Sequence, residues 1–314
     1  MIELCNVSKL FDQTRAVDDI SLTVQTGELC VLVGTSGCGK STTLRMINRL
    51  IGHSAGSIRI DGRDIERIDP QQLRRGIGYA IQSTGLFPHW TVARNIAVVP
   101  RLLGWPAARI RQRVEELLQL LELAPAEFAD KYPSQLSGGQ AQRVGVARAL
   151  AGDPDILLMD EPFGALDPIT RESLQNELLR IQSQVRKTIV FVTHDMDEAL
   201  KLANRIVVMN KGRIVQQDSP QALLAKPANA FVENLLGGQE RGLKQAGLLH
   251  VAALMQALAT AAAPAAGPRI KATDTLRQAL SLMLWHRCSS LPVIDEQGRQ
   301  VGVLQLDALM SRPQ

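Results

Sequence analysis

Four cysteines among 314 residues are few. Cys5, Cys30, Cys38 and Cys288 stand at no spacing that chelates a metal or staples a small fold. That excludes a disulfide scaffold, and the thiols suit a reducing compartment. No charged, apolar leader opens the chain; Met1-Ile2-Glu3-Leu4-Cys5-Asn6-Val7 reads as a strand. No long apolar run is present either. The weakly polar stretch 248–267 is alanine-rich, carries His250 and Gln256, and is broken by Pro264, so it is not expected to span a bilayer. Any membrane role is expected to be peripheral and cytosolic. A dense Lys/Arg run is also lacking. With 35 basic against 31 acidic residues the net charge is +4, too diffuse to argue for nucleic acid. Apolar residues are plentiful, at 45%, enough for one large domain and a smaller one.

The stretch Gly34-Thr35-Ser36-Gly37-Cys38-Gly39-Lys40-Ser41 organises the rest. An apolar strand, 28–33, precedes it, and 42–48 has helical spacing. A glycine-rich turn between a buried strand and a helix start is where a phosphate-binding loop sits. Its glycines let several N–H groups point at one anion, and the helix dipole adds positive potential there. Lys40 brings a full charge to β/γ-phosphates. The Ser41 hydroxyl is a hard oxygen ligand suited to Mg²⁺. Cys38, beside Lys40 and a helix start, is expected to be thiolate-prone and to make the site thiol-sensitive.

Residues 2–8 and 20–24 alternate as two edge strands around a turn bearing Phe11, which either joins a satellite core or stacks on a base. The strand 77–81 ends at Gln82, a group able to touch a metal ion or an attacking water. The aromatic loop 83–90 follows, with Phe87 and Trp90 either a docking patch or folded inward. From 92 to 123 the pattern is helical, with Ile110, Val114, Leu117, Leu118 and Leu121 on one face. Leu136-Ser137-Gly138-Gly139-Gln140 then opens another helix and offers a second, weaker anion site without a lysine. The strand 156–159 closes on Asp160-Glu161. Asp160 suits a cation, and Glu161 can polarise a water. The strand 188–193 ends at His194, on the ligand-binding edge of a doubly wound sheet.

Taken in order, these elements resemble the ATP-binding-cassette ATPases over roughly residues 1–236. Residues 46–50, 78–89 and 164–171 further resemble ATP-binding subunits of importers for quaternary amines such as glycine betaine, choline and carnitine. The resemblance implies an α/β fold, a P-loop core of mixed sheet with a helical subdomain at about 92–150. It also implies a head-to-tail homodimer with ATP at its seam. In that arrangement Phe11 stacks on adenine, and Gly34, Thr35, Ser36, Gly37, Cys38, Gly39, Lys40, Ser41 and Thr42 hold the phosphates. Ser41, Gln82 and Asp160 serve Mg²⁺. Glu161 is the general base, and His194 pins the γ-phosphate. Ser137 and Gly139, with Gly138 and Gln140 of the same nucleotide-binding loop, complete the partner's site, and Asp167 belongs to the loop that joins the two sites. Implied partners are two integral-membrane permease subunits, contacted near residues 87–90, and indirectly a substrate-binding protein, at the cytoplasmic face of the plasma membrane. The interval between the phosphate loop and residue 136 is too short for the long coiled coils of nucleic-acid-repair cassettes. Import rather than export rests on the quaternary-amine-like segments.

A connecting segment, 237–268, with an Ala/Pro-rich insertion leads to the tail. A helix at 275–283 and strands 291–295 and 300–304 around a turn resemble a single, small α+β CBS-like repeat over 251–311. Ionic-strength sensing and simple dimerisation both remain open for it.

Overall fold

The computed structural model describes residues 1–81, 84–164, 166–262 and 267–310. By internal contacts the chain divides into two units, Met1–Ser219 and Pro220–Gln314.

In the first unit, β1 (Ile2–Phe11) and β2 (Thr14–Val24) make an antiparallel hairpin. Ile2 and Leu4 in β1 and Ile20, Leu22 and Val24 in β2 are buried at every second residue, the period-two signature of a half-covered sheet, with a register shift before the buried Val7. β3 (Leu29–Gly34) is buried along its whole length, as a central strand must be. The phosphate-loop segment then leads into α1 (Lys40–Ile47). β4 (Ala55–Ile60) and β5 (Arg63–Asp64) extend the hairpin into a four-stranded sheet of order β2-β1-β4-β5. α2 (Pro70–Arg75) is opened by Pro70 and capped by the Asp69 carboxylate, and it delivers the chain to β6 (Ile77–Ala80).

The helical stretch expected from residue 92 is three helices rather than one: α3 (Val92–Ile96), α4 (Val98–Leu102) and α5 (Ala107–Leu120). The break before α5 has a local cause. Gly104 takes a left-handed φ of +72°, and Pro106 biases its predecessor away from helix. The face expected on α5 is the one observed: Ile110, Val114, Leu117 and Leu118 are buried. After α6 (Pro125–Phe128), α5 packs on α7 (Gly138–Leu150).

The chain returns to the sheet through β7 (Ile156–Asp160), α8 (Pro168–Val185), β8 (Thr188–Thr193), α9 (Met196–Leu202), β9 (Arg205–Asn210) and β10 (Arg213–Asp218). The six-stranded sheet runs β10-β9-β3-β8-β7-β6, parallel except for the β9–β10 pair. The carboxyl ends of β3, β8 and β7 therefore lie side by side, where ligands of such sheets bind.

The second unit holds α10 (Pro220–Ala225), α11 (Ala230–Leu235), α12 (Arg241–Leu248), β11 (Gln256–Ala262), β12 (Ile270–Lys271), α13 (Leu276–His286), β13 (Ser290–Ile294), β14 (Gln300–Gln305) and α14 (Leu306–Met310). Its sheet has the order β11-β14-β13-β12. Val251, Ile270, Leu276, Ala279, Met283, Leu291, Val293 and Leu304 form its core. Residues 220–236, which the sequence reading carried with the ATPase portion, group with this unit because α10 packs on α12. Of the Ala/Pro tract, residues 263–266 lie outside the described residues, while Ala261 and Ala262 end β11. No helix among the described residues is long and apolar enough to cross a membrane.

Candidate active site

The loop between β3 and α1 depends on glycines that no other residue could replace. Gly34 has φ +154°, and a Cβ there would fall 2.1 Å from the Met209 carbonyl oxygen. Gly39 has φ +103°, and a Cβ would stand 2.5 Å from the Ala16 carbonyl oxygen. Both contacts are with backbone, which cannot give way. Buried Lys40 curls into the turn; its Nζ donates to the carbonyls of Gly34 at 2.8 Å and Thr35 at 3.0 Å. Thr43 Oγ1 donates to the Gly39 carbonyl at 2.9 Å, pinning the first turn of α1.

Strand pairing brings the acidic residues to the loop. Asp160 is the last residue of β7 and is 3% exposed. Ser41 Oγ donates to its Oδ1 at 2.7 Å. Burial pushes the Asp160 carboxyl above its usual range, opposed by the Ser41 hydrogen bond and the positive charge of Arg45. Glu161 follows in a left-handed conformation, φ +46°. Its N–H donates to the Val192 carbonyl of β8 at 3.0 Å. His194, just past β8, then sets Nδ1 3.3 Å from Glu161 Oε2. A cavity of about 390 Å³ is lined by Ser36, Gly37, Gly39, Lys40, Ser41, Thr42, Glu161 and His194. Serine hydroxyl and buried carboxylate at hydrogen-bond distance are hard oxygen donors, a pair that fits Mg²⁺.

Other expected residues stand apart from this cavity. Ser137 caps α7 in a reciprocal box: its Oγ accepts from Gln140 N–H at 3.3 Å, and its own N–H donates to Gln140 Oε1 at 2.9 Å. Ser137 and Gly138 are exposed, and a Cβ on Gly139 would meet Thr170 Cγ2 of α8 at 2.9 Å. Asp167 caps α8; its Oδ1 accepts from Thr170 N–H at 3.0 Å, and hydrogen bonds from Thr170 hold its carboxyl below the usual range. Phe11 ends β1, 44% exposed, with Lys9 Nζ 4.8 Å from its ring centre. None of these lines the cavity. Gln82 lies outside the described residues.

Burial weighs against the expected thiol sensitivity of Cys38: the residue is 2% exposed, with Sγ 3.7 Å from Lys40 Nζ inside the turn. Phe87 and Trp90 combine both readings: their rings pack at 4.5 Å between centroids, and Phe87 stays 40% exposed. Sequence reasoning passed over Arg45, Tyr79 and Asn95. Burial and the Asp160 charge push the Tyr79 hydroxyl up, against a hydrogen bond with Arg45. Asn95 is fully buried, and Asn in a helix with four backbone partners in one loop has no linear signature.

Residues 17–164 match the ABC transporter family, and residues 268–313 match the CBS domain. The chain is 51% identical over 310 residues to the glycine betaine uptake system ATP-binding protein YehX of Escherichia coli, covering 99% of both. It is 47% identical to the glycine betaine/carnitine/choline transport ATP-binding protein OpuCA of Bacillus subtilis, over 98% of this chain and 79% of that one. Among solved structures, the dimeric bacterial ABC transporter cassette MJ0796 superposes with a TM-score of 0.65 at 35% identity, over 70% of this chain and 99% of that one. A phosphate loop and an acidic strand end on adjoining ends of one sheet, a capped signature turn opening α7, and similarity running the length of the chain show that it belongs to the ATP-binding subunits of ABC transporters, in the glycine betaine, choline and carnitine group.

Proposed function

We propose that the chain hydrolyses ATP to power import of a quaternary-amine osmoprotectant, as a peripheral subunit on the cytoplasmic face of the membrane. The substrate class is supported by the full-length similarity to a glycine betaine uptake subunit. The observation that carries the mechanism is the division of the site: phosphate loop, Glu161 and His194 share one cavity, and the signature turn does not line it. A site so divided is completed by a second copy whose Ser137 and Gly139 face the γ-phosphate, in line with the dimeric cassettes of similar fold.

On this reading Lys40 exchanges its bonds to Gly34 and Thr35 for the β/γ-phosphate oxygens, a stronger charge-assisted contact. Loop N–H groups and the start of α1 hold the remaining oxygens. Ser41 and Asp160, with Gln82, would hold Mg²⁺, which when bound neutralises phosphate charge. Glu161 accepts a proton from the attacking water. His194, set beside Glu161 by the pairing of β7 and β8, holds the γ-phosphate in line. Phe11 stacks on adenine, and Asp167 joins the two sites across the seam. Two permease subunits take up the work of closure, and a substrate-binding protein selects the solute. The chain is tested by reconstitution with its membrane and receptor subunits. ATP hydrolysis stimulated by glycine betaine, choline or carnitine is the expected result, and no response to any of them refutes the import reading.

A further inference from the structure

Glu161 and His194 stand on different loops, and one side chain ties those loops together from behind. Arg171, in the first turn of α8, donates Nη2 to the Leu166 carbonyl at 3.2 Å, and its Nη1 makes an ion pair with Asp195 Oδ2 at 3.4 Å. Leu166 ends a compact turn begun at Glu161. Gly164 N–H donates to the Glu161 carbonyl and Leu166 N–H to the Phe163 carbonyl, each at 3.2 Å. Asp195 directly follows His194. Its N–H donates to Thr193 Oγ1 at 3.0 Å, and its Oδ1 accepts from the N–H groups of Asp197 and Glu198 at 2.9 and 3.2 Å, which caps α9. With His194 Nδ1 3.3 Å from Glu161 Oε2, the contacts close a ring through Leu166, Arg171 and Asp195. Glu161, Arg171, His194 and Asp195 all line one small cavity of about 20 Å³.

The hold of Arg171 is directional. Its remaining nitrogen, Nε, is buried without a hydrogen-bond partner among the described residues, so these two contacts alone orient the guanidinium. A planar fork serves two acceptors lying in different directions, which a single ammonium does not. The start of α9 is also anchored against the pull. Gln175, one turn further along the same face of α8, donates Nε2 to Glu198 Oε1 at 3.1 Å, and both residues are buried. The His194 side chain, by contrast, is 59% exposed. Packing does not set the imidazole; the held residues on either side of it, Thr193 and Asp195, do.

We propose that Arg171 is a positioning residue: by holding Leu166 and Asp195 at one separation, it sets the spacing of Glu161 and His194 across the γ-phosphate and its attacking water. The inference rests on the roles proposed above for Glu161 and His194. Arg171 does not line the cavity that takes the phosphates, so its loss leaves nucleotide binding intact and acts on the chemical step. Misplacing a reacting group by about 1 Å costs on the order of 100-fold in rate.

The test uses the full-length chain with ATP and Mg²⁺. In Arg171→Lys, kcat is expected to fall at least about tenfold while the KM for ATP stays within about twofold. Asp195→Asn keeps the α9 cap, because asparagine caps as well as aspartate, and removes the charge facing Arg171; the same fall is expected. The double variant is expected to be no slower than the slower single one, because both changes break one link. Parental kcat in Arg171→Lys, or losses that multiply in the double variant, overturn the proposal. A second readout bypasses hydrolysis. The chain has five histidines, so in protein labelled with ¹³C,¹⁵N-histidine the His194 ring signal is assigned by its absence in His194→Gln. That signal is expected to shift in Arg171→Lys while the other histidines stay in place, and an unmoved His194 signal overturns the proposal. Parental hydrolysis by His194→Gln instead refutes the catalytic role given to His194, and the ring signal then decides whether Arg171 positions the imidazole.

Discussion

Glu161 occupies a left-handed backbone conformation, which costs a non-glycine residue on the order of 1–3 kcal/mol. Its N–H bond to Val192 and its setting 3.3 Å from His194 are what that strain sustains. Glu161→Gln keeps the shape and removes the proposed base. Hydrolysis is expected to fall about 100-fold or more while ATP binding persists and traps a dimer, read by phosphate release and gel filtration with ATP. Asp160 carries the opposite tension. Its carboxyl is raised by burial, so the folded state binds that proton more tightly than the unfolded chain does. This contribution to stability is present below the unfolded value of 3.8 and is lost as pH rises through the raised folded value. Asp160→Asn is therefore expected to abolish hydrolysis and yet raise the unfolding midpoint of the nucleotide-free protein at pH 7 by on the order of 2 °C. Cys38, at 2% exposure, is shielded where Cys5 is exposed. A maleimide is expected to label Cys5 first and leave hydrolysis unchanged, as mass spectrometry and activity on one sample would report.

At the scale of elements, the cassette is a set of strand ends and helix starts, each placed by caps. Asp69, Thr91, Ser137, Asp167 and Asp195 all accept from the first turn of the helix they precede. The even burial of β3 and the apolar face of α5 were legible because they are local; the caps were not read from the sequence, since Ser, Thr and Asp are common outside helix starts. The break between α4 and α5 was less legible, because periodicity runs on through Gly104 and Pro106. The grip of Asn95 on residues 87–91 was not legible at all. Asn95→Ala strands a buried N–H and several carbonyls at once, and is expected to cost about 2–4 kcal/mol in urea unfolding. It should also open residues 84–91 to proteolysis.

For the whole molecule the proposed reading makes one decisive claim, that one copy holds an incomplete site. Mixing makes this measurable. A Lys40→Ala copy lacks the phosphate lysine, and a Ser137→Arg copy blocks the signature turn. Each alone is expected to be inactive. Together they form a dimer in which one seam has an intact loop from one copy and an intact signature from the other, and ATP hydrolysis is expected to return in the mixture. Failure to regain it would argue that loop and signature act within a single copy.

Residue types at fixed spacing were enough to locate the phosphate loop, the acidic strand end, the signature and the tail repeat, because those chemistries need contiguous or nearly contiguous groups. What depended on tertiary structure was access and mechanical linkage. Cys38 is buried because Lys40 and the turn close over it, and Arg171 reaches Asp195 because α8 packs on α9. Burial and long-range hydrogen bonds are set by which surfaces pack together, and the linear order of residues does not encode that locally.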